Sequence, residues 1–224
     1  MTDPGDTRHI GLTILFPENS PDEHAMTCPH TLFFVRHGET NWNREGRYQG
    51  QKDIPLNELG RQQARRNGFA LKDYFEEHGI HPKGLDFVAS PLGRTRETME
   101  IIRQILDLPV ADYRTDDRLV EISFGDWEGM TSPEIKAITP KLHKARNQDK
   151  WAFIQPNGES YKILTERVTP WVESIGEDTV VVAHGGVNRS LRKLLENIPD
   201  DEVPYQPVPQ DQFYLWKNGQ ACWL

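Results

Sequence analysis

Two short apolar runs constrain this chain most, because each suits a buried strand and each ends on a histidine followed by glycine. Thr179-Val180-Val181-Val182-Ala183 leads into His184-Gly185-Gly186, and Thr31-Leu32-Phe33-Phe34-Val35 leads into Arg36-His37-Gly38. Continuous apolar strands of this kind are covered on both faces, which is the habit of parallel sheets flanked by helices. Ligands in such sheets bind beyond the carboxyl ends of the strands. The two His-Gly corners stand 147 residues apart in sequence, yet both fall at that end.

The rest of the chain alternates between strand and helix patterns. Asn57 can cap a helix whose Gly60, Ala64, Gly68, Leu71 and Phe75 share one face, the small residues allowing close approach to a sheet. Leu85 to Ser90 reads as a second strand, and Pro91 suits the first turn of a helix with Thr98, Ile101, Ile102 and Ile105 on its apolar side. Pro109 to Tyr113 reads as a third strand, and Ser132-Pro133-Glu134 as the start of a short helix. Thr139 to Gly158 shows no clear period. Glu159 to Ile175 is helical in pattern with Pro170 expected to kink or divide it, and a helix through Leu191, Leu194 and Leu195 follows His184. Phe213 to Trp216 and Ala221 to Leu224 flank Lys217-Asn218-Gly219-Gln220 as a hairpin. The expected fold is α/β, a three-layer domain with a central mostly parallel sheet between helices, over residues 31–224.

Composition narrows the function. With 26 basic and 34 acidic residues the net charge is -8, which argues against general affinity for nucleic acid or anionic lipid and leaves room for a local anion site. Cys28 and Cys222 fit neither a disulfide scaffold nor a zinc ribbon, so a reducing compartment is expected. The run Ile10 to Phe16 falls far short of the roughly 20 residues that span a bilayer, and Asp3 and Asp6 stand where a signal peptide needs basic residues. The reading is a cytoplasmic protein with no membrane and no nucleic-acid partner. Residues 1–30, acidic and scattered with Pro and Gly, read as a disordered or extended tail, and Met26 offers an alternative translation start.

The stretch Leu32-Phe33-Phe34-Val35-Arg36-His37-Gly38-Glu39-Thr40 resembles the signature of the histidine phosphatase superfamily, which includes the cofactor-dependent phosphoglycerate mutases. Further matches follow in family order: Asn43, Arg47-Tyr48-Gln49-Gly50, Leu56-Asn57-Glu58-Leu59-Gly60, Ser90-Pro91-Leu92-Gly93-Arg94-Thr95, Glu121 with Phe124-Gly125-Asp126-Trp127-Glu128-Gly129, and Ala183-His184-Gly185-Gly186. The resemblance implies a phosphoglycerate mutase-like fold and a phosphomonoesterase of the histidine acid phosphatase type. By that likeness His37 is the nucleophile that forms phosphohistidine, Arg36 and Arg94 clamp the phosphoryl oxygens, His184 is the second phosphate-binding histidine, and Glu121 is the proton donor. Gly38 allows close backbone approach, Gly185 offers an N–H at a helix start, and Asn43 and Gln49 add phosphate contacts.

These roles suit the chemistry. A phosphomonoester carries about two negative charges, and its transfer needs cations and donors on the peripheral oxygens while a nucleophile attacks in line. Neighbouring guanidinium groups disfavour the imidazolium form, so a histidine between two arginines can be a neutral nucleophile at pH 7. The scheme requires no metal and no cofactor, and its partner is a small phosphorylated substrate. Rival readings remain for each residue: a strand-end ion pair for Arg36 and His37, a turn cap for Glu121 with Glu39 or Glu128 carrying the proton, ordinary loop bonds for Asn43 and Gln49. His9, His24, His30, His78, His81 and His143 belong to no constellation and read as surface residues.

Three other functions compete. A phosphoglycerate mutase returns the phospho group to a substrate alcohol, and mutase-like sequences place basic and tyrosyl residues after the proton-donor glutamate; Ile122-Ser123-Phe124-Gly125-Asp126-Trp127 supplies none, which favours hydrolysis. A non-catalytic phosphate or protein binder would be expected to have lost His37, Glu121 or an arginine. A metal hydrolase with His37, His184 and Glu121 as ligands is conceivable on residue types alone. Finally, Thr131 to Gln155 holds Lys136, Lys141, Lys144, Arg146 and Lys150 against Glu134 and Asp149. The plain reading is a solvated helix face; the sharper one is a lid at about 131–158 whose cations bind a second anionic group, with Trp151 and Phe153 as an apolar wall.

Overall fold

A computed structural model describes residues 26–224. Residues 1–25, including the Ile10 to Phe16 run, lie outside the described residues. The last part of the expected tail is docked: the Met26 N–H donates to the Leu194 carbonyl at 2.8 Å, and Cys28 is buried with its carbonyl accepting from Trp216 Nε1 at 3.1 Å.

Among the described residues six strands form one sheet: β1 (Leu32–Arg36), β2 (Asp86–Ala89), β3 (Arg114–Thr115), β4 (Thr179–Ala183), β5 (Phe213–Lys217) and β6 (Gln220–Trp223). Their order is β3-β2-β4-β1-β5-β6, with β3, β2, β4 and β1 parallel and β5 and β6 antiparallel at one edge. The short edge hairpin turns on Asn218-Gly219, the residues such a two-residue turn favours. β1 and β4 are buried almost throughout, which explains their uninterrupted apolar character.

Alternate strand residues feed two cores. Leu32, Phe34, Val181 and Ala183 face α6 (Tyr161–Glu173) and α7 (Gly185–Glu196), while Phe33, Val35, Val180 and Val182 face α2 (Glu58–Glu77) and α3 (Gly93–Ile105). This is the expected three-layer arrangement. Asn57 caps α2, its side chain accepting from the Gly60 N–H at 2.8 Å. The small residues of that helix serve contacts other than the sheet. A methyl on Gly68 would come within 2.7 Å of Ile105 on α3, and one on Gly38 would overlap the Gly60 carbonyl.

Three expectations need correction. The third strand is Arg114–Thr115, because Pro109 to Asp112 closes a turn with the Asp112 N–H on the Pro109 carbonyl. Pro170 does not divide α6, since it lies so near the helix end that only the last turn loses a donor. The aperiodic segment holds a helix, α5 (Pro140–Gln148), directly after α4 (Ser132–Ile138). Only Arg146 of α5 is buried, so no apolar stripe marked it. Among the described residues no helix is long and apolar enough to cross a membrane.

Candidate active site

Strand register brings the two His-Gly corners together. Arg36 pairs with Ala183 across β1 and β4, and the His37 N–H donates to the Ala183 carbonyl at 3.0 Å. The imidazoles of His37 and His184 meet edge to face with centroids 5.2 Å apart. On the other side of β4, Ala89 pairs with Val182, which sets Ser90 next to His184. The carboxyl ends of three parallel strands thus form the floor of a cavity of about 150 Å³. Arg36, His37, Asn43, Gln49, Arg94, Glu121 and Gly185 all line it.

His37 is buried, and its Nδ1 lies 2.8 Å from the Gly38 carbonyl. A carbonyl can only accept, so Nδ1 carries the proton and Nε2 keeps its lone pair. Burial, then the charges of Arg94 and Arg36, hold the ring well below the ordinary imidazole value. His184 is neutral for the same leading reason, with Arg94, His37 and Arg36 adding to it. Both arginines are pushed down to about 10, chiefly by burial, and stay cationic at neutral pH. Arg36 is tethered by Nη1 to the Val208 carbonyl at 2.8 Å, and Arg94 by Nη1 and Nη2 to the Lys52 and Gly50 carbonyls at 2.6 and 2.7 Å. Among the described residues their Nε groups are buried without a partner, so each guanidinium still has donors for an anion.

Glu121 is held from three sides. Its Oε1 accepts from the Ile122 N–H at 2.9 Å, both oxygens accept from the Gly186 N–H at 3.1 Å, and its carbonyl accepts from Gln51 and Arg167 at 3.1 and 3.4 Å. Arg167 also bonds the Val120 carbonyl and pairs with Glu159, fixing the backbone that presents Glu121. Glu39 and Glu128 are engaged elsewhere, on Asn57 and on the N–H groups of Gln51 and Phe124. Asn43 is partly spoken for: its Oδ1 accepts from the Thr40 N–H and from Gln210 Nε2. Its Nδ2 is the end left for a ligand. Gln49 is buried and accepts from the Thr40 hydroxyl.

Several lining residues carry no role in the sequence reading: Tyr48 and Phe124, which stand inside matched motifs, and Tyr161 and Arg189. Arg189 donates to the Gln206 carbonyl at 2.8 Å and the Tyr161 hydroxyl at 3.3 Å. Behind Tyr48 and Phe124 lies the buried Arg146, its guanidinium 5.1 and 5.9 Å from their ring centroids and Nη1 3.2 Å from the Tyr48 hydroxyl. Lys150 sits 4.2 Å from the Tyr205 ring centroid, and burial together with Arg146 and Arg189 pushes its ammonium below the ordinary value. Lys136, Lys141 and Lys144 are exposed. Phe153 stacks on Trp127, and Trp151 packs on the core beside Lys193, so neither lines the cavity. A larger cleft of about 670 Å³, near the starts of β2 and β4, contains none of the expected site residues. Among the described residues no group of three His, Cys, Asp or Glu side chains is placed to hold a metal ion.

The family model described as histidine phosphatase superfamily (branch 1) matches residues 32–215. The chain belongs to that superfamily. It is 33% identical over 183 residues to 6-phosphofructo-2-kinase/fructose-2,6-bisphosphatase 1 of Bos taurus, covering 81% of this chain and 36% of that protein. The chain thus spans about a third of that relative's length. It is 35% identical over 162 residues to the uncharacterized phosphatase PhoE of Bacillus subtilis, covering 70% of this chain and 72% of the relative. Among solved structures, Bacillus stearothermophilus YhfR superposes with a TM-score of 0.72 at 32% identity, covering 87% of this chain and 95% of that one. The phosphoglycerate mutase-like fold expected from the motifs is the fold of this branch 1 histidine phosphatase.

Proposed function

We propose that the protein hydrolyses a small phosphomonoester through phosphohistidine, and that its substrate carries a second anionic group. The observation that carries the first half is the state of His37: neutral, with Nδ1–H donated to the Gly38 carbonyl and Nε2 free, between two desolvated arginines. Nε2 attacks phosphorus, the N–P bond forms as the ester P–O bond breaks, and Glu121 as the acid gives its proton to the departing alkoxide. Water then attacks phosphorus, Glu121 takes a proton from it, and the N–P bond breaks to release phosphate. Arg36, Arg94, His184 and the free end of Asn43 offset the charge on the peripheral oxygens.

The second half rests on size and charge at the rim. A volume of about 150 Å³ is below the roughly 300–1,000 Å³ of pockets that enclose a whole small molecule. It suits the phosphoryl group, leaving the remainder of the substrate against the rim. There Arg189 lines the cavity, and Lys150 lies near enough to Arg189 and to the buried Arg146 for their charges to oppose its own; among the described residues none of the three pairs with a carboxylate. Cations so arranged repel each other until an anion arrives. The name of the fructose-2,6-bisphosphatase relative, whose substrate has two phosphates, agrees with this reading.

The mutase alternative loses one argument against it, because Tyr48, Tyr161 and Arg189 bring tyrosyl and basic groups to the cavity from segments other than the one after Glu121. Retention of His37, Arg36, Arg94 and Glu121 in one cavity favours catalysis over a binding-only role. The test is rapid quenching during turnover. Wild-type protein should carry phosphate in an acid-labile, alkali-stable linkage, and His37→Ala should carry none and turn over no substrate. Label that persists in His37→Ala would place the nucleophile elsewhere, and phosphate returned to substrate faster than to water would favour the mutase.

A further inference from the structure

The register that joins the two histidines also places a hydroxyl behind one of them. Ser90 is fully buried at the end of β2. Its N–H donates to the Val182 carbonyl at 3.0 Å and its own carbonyl accepts from Thr95 Oγ1 at 2.8 Å, so its backbone is fixed on both sides. Its Oγ lies 2.8 Å from His184 Nε2, and among the described residues that is its one hydrogen-bond partner. The other ring nitrogen of His184, Nδ1, is buried with no hydrogen-bond partner among the described residues.

A neutral imidazole has one proton and two places for it. With the proton on Nε2, that nitrogen donates to Ser90 Oγ; the Ser90 hydrogen then has no acceptor and Nδ1 is a bare lone pair. With the proton on Nδ1, the Ser90 hydroxyl donates to Nε2, and the only unmet group is an N–H awaiting an acceptor. Buried polar groups without partners are costly, so the second arrangement is preferred even before substrate arrives. Bound phosphoryl oxygens carry negative charge and would reject a lone pair while accepting from an N–H.

We propose that Ser90 is a positioning residue that fixes His184 as the Nδ1–H tautomer, so that the buried nitrogen of this ring, packed edge to face against His37, presents a donor to the phosphoryl group. The proposal rests on the phosphoryl-transfer reading for its consequence and not for its geometry. The two histidines then share a tautomer yet expose opposite faces. A carbonyl acceptor holds the proton on Nδ1 of His37 and leaves the Nε2 lone pair for attack; a hydroxyl donor on Nε2 of His184 leaves Nδ1–H for binding. Swapping either partner would reverse the role of its ring.

Long-range ¹H–¹⁵N correlation spectra of the uniformly labelled full chain report which nitrogen of each ring is protonated, with His184 assigned by the loss of its signals in His184→Gln. Wild-type protein should show His184 protonated on Nδ1. In Ser90→Ala the ring should shift toward the Nε2–H form, with kcat lower by about 10-fold or more, by analogy with loss of an oxyanion donor, and with little change in KM. Ser90→Thr, which keeps the hydroxyl, should retain the wild-type tautomer. An Nε2–H tautomer in wild type, or an unchanged tautomer in Ser90→Ala, overturns the proposal. The wild-type spectrum alone is decisive should the variants not fold. Because it is recorded without turnover, a failed phosphohistidine test leaves this result standing, and the converse holds as well.

Discussion

The floor and the rim of the cavity are built by different means. On the floor, β-ladder register and backbone carbonyls set every group: Arg36 against Ala183, His37 on Gly38, Ser90 behind His184, Arg94 on Gly50 and Lys52. On the rim, cations rest on aromatic faces, Arg146 over Tyr48 and Phe124 and Lys150 over Tyr205, and these partners come from separate loops. Ladder geometry leaves no freedom to retune one group without moving the strand, whereas a ring can be exchanged with little consequence for its neighbours. A fixed chemistry of phosphoryl transfer and an adjustable choice of substrate would follow from that division.

The sharpest way to break the comparison is to disturb the floor by a single methyl. A Cβ on Gly186 would lie 2.4 Å from Glu121 Oε1, and the neighbouring Leu164 and Ile122 side chains leave it no room to turn away. Gly186→Ala should therefore displace the carboxylate and lower kcat by about 10²- to 10³-fold, within the range for loss of a general acid. The loss should be greater for alkyl phosphates than for aryl phosphates, whose leaving groups need less protonation. A Gly186→Ala protein with undiminished activity on both would show that the position of Glu121 is not part of the floor's rigidity.

The rim should respond in KM. Arg189→Gln removes a charge-assisted bond worth roughly 1.5–3 kcal/mol, so KM for a sugar bisphosphate should rise by about 10- to 100-fold. KM and kcat for a simple aryl phosphate should stay within about threefold, because such a substrate has no second anion to lose. Lys141→Gln, on an exposed side chain, is the control and should change neither. Uniform effects across substrates would dissolve the distinction between floor and rim.

This division also explains what could be seen in the sequence. The floor was legible because strand ends are written as apolar runs stopped by His-Gly, and the resemblance then named Arg36, His37, Arg94, Glu121 and His184, all of which converge. The rim was half legible. The positive balance of residues 131–155 marked a segment rich in cations, but charge counts do not say which way a side chain faces, and Lys141 and Lys144 point to solvent while Arg146 turns inward. Arg189 lay on the apolar-periodic α7 and Tyr48 within the motif Arg47-Tyr48-Gln49-Gly50, neither with a role of its own, and Tyr161 was indistinguishable from an ordinary aromatic residue. The role of Gly186 in seating Glu121 was hidden, since a close approach between residues 65 positions apart leaves no mark in local sequence.

A final difference concerns acid. The floor holds two imidazoles neutral, and both lie well below the ordinary value because burial and neighbouring arginines oppose a further charge. Once the chain unfolds, each histidine titrates near its ordinary pKa of about 6.5. Between the depressed folded values and 6.5 the unfolded chain therefore binds more protons than the folded one, so these groups cost no stability above about pH 6.5 and an increasing amount as pH falls below it. Each can contribute a slope of up to about 1.4 kcal/mol per pH unit in that range. Urea unfolding at pH 7.5, 6.5 and 5.5 should show stability falling over the lower interval, with a shallower fall in His184→Gln, which has one buried imidazole fewer. If His184→Gln loses stability with acid as steeply as wild type, the floor histidine is not held neutral by the fold, and the hydrogen bond from Ser90 would have to be read with an imidazolium in its place.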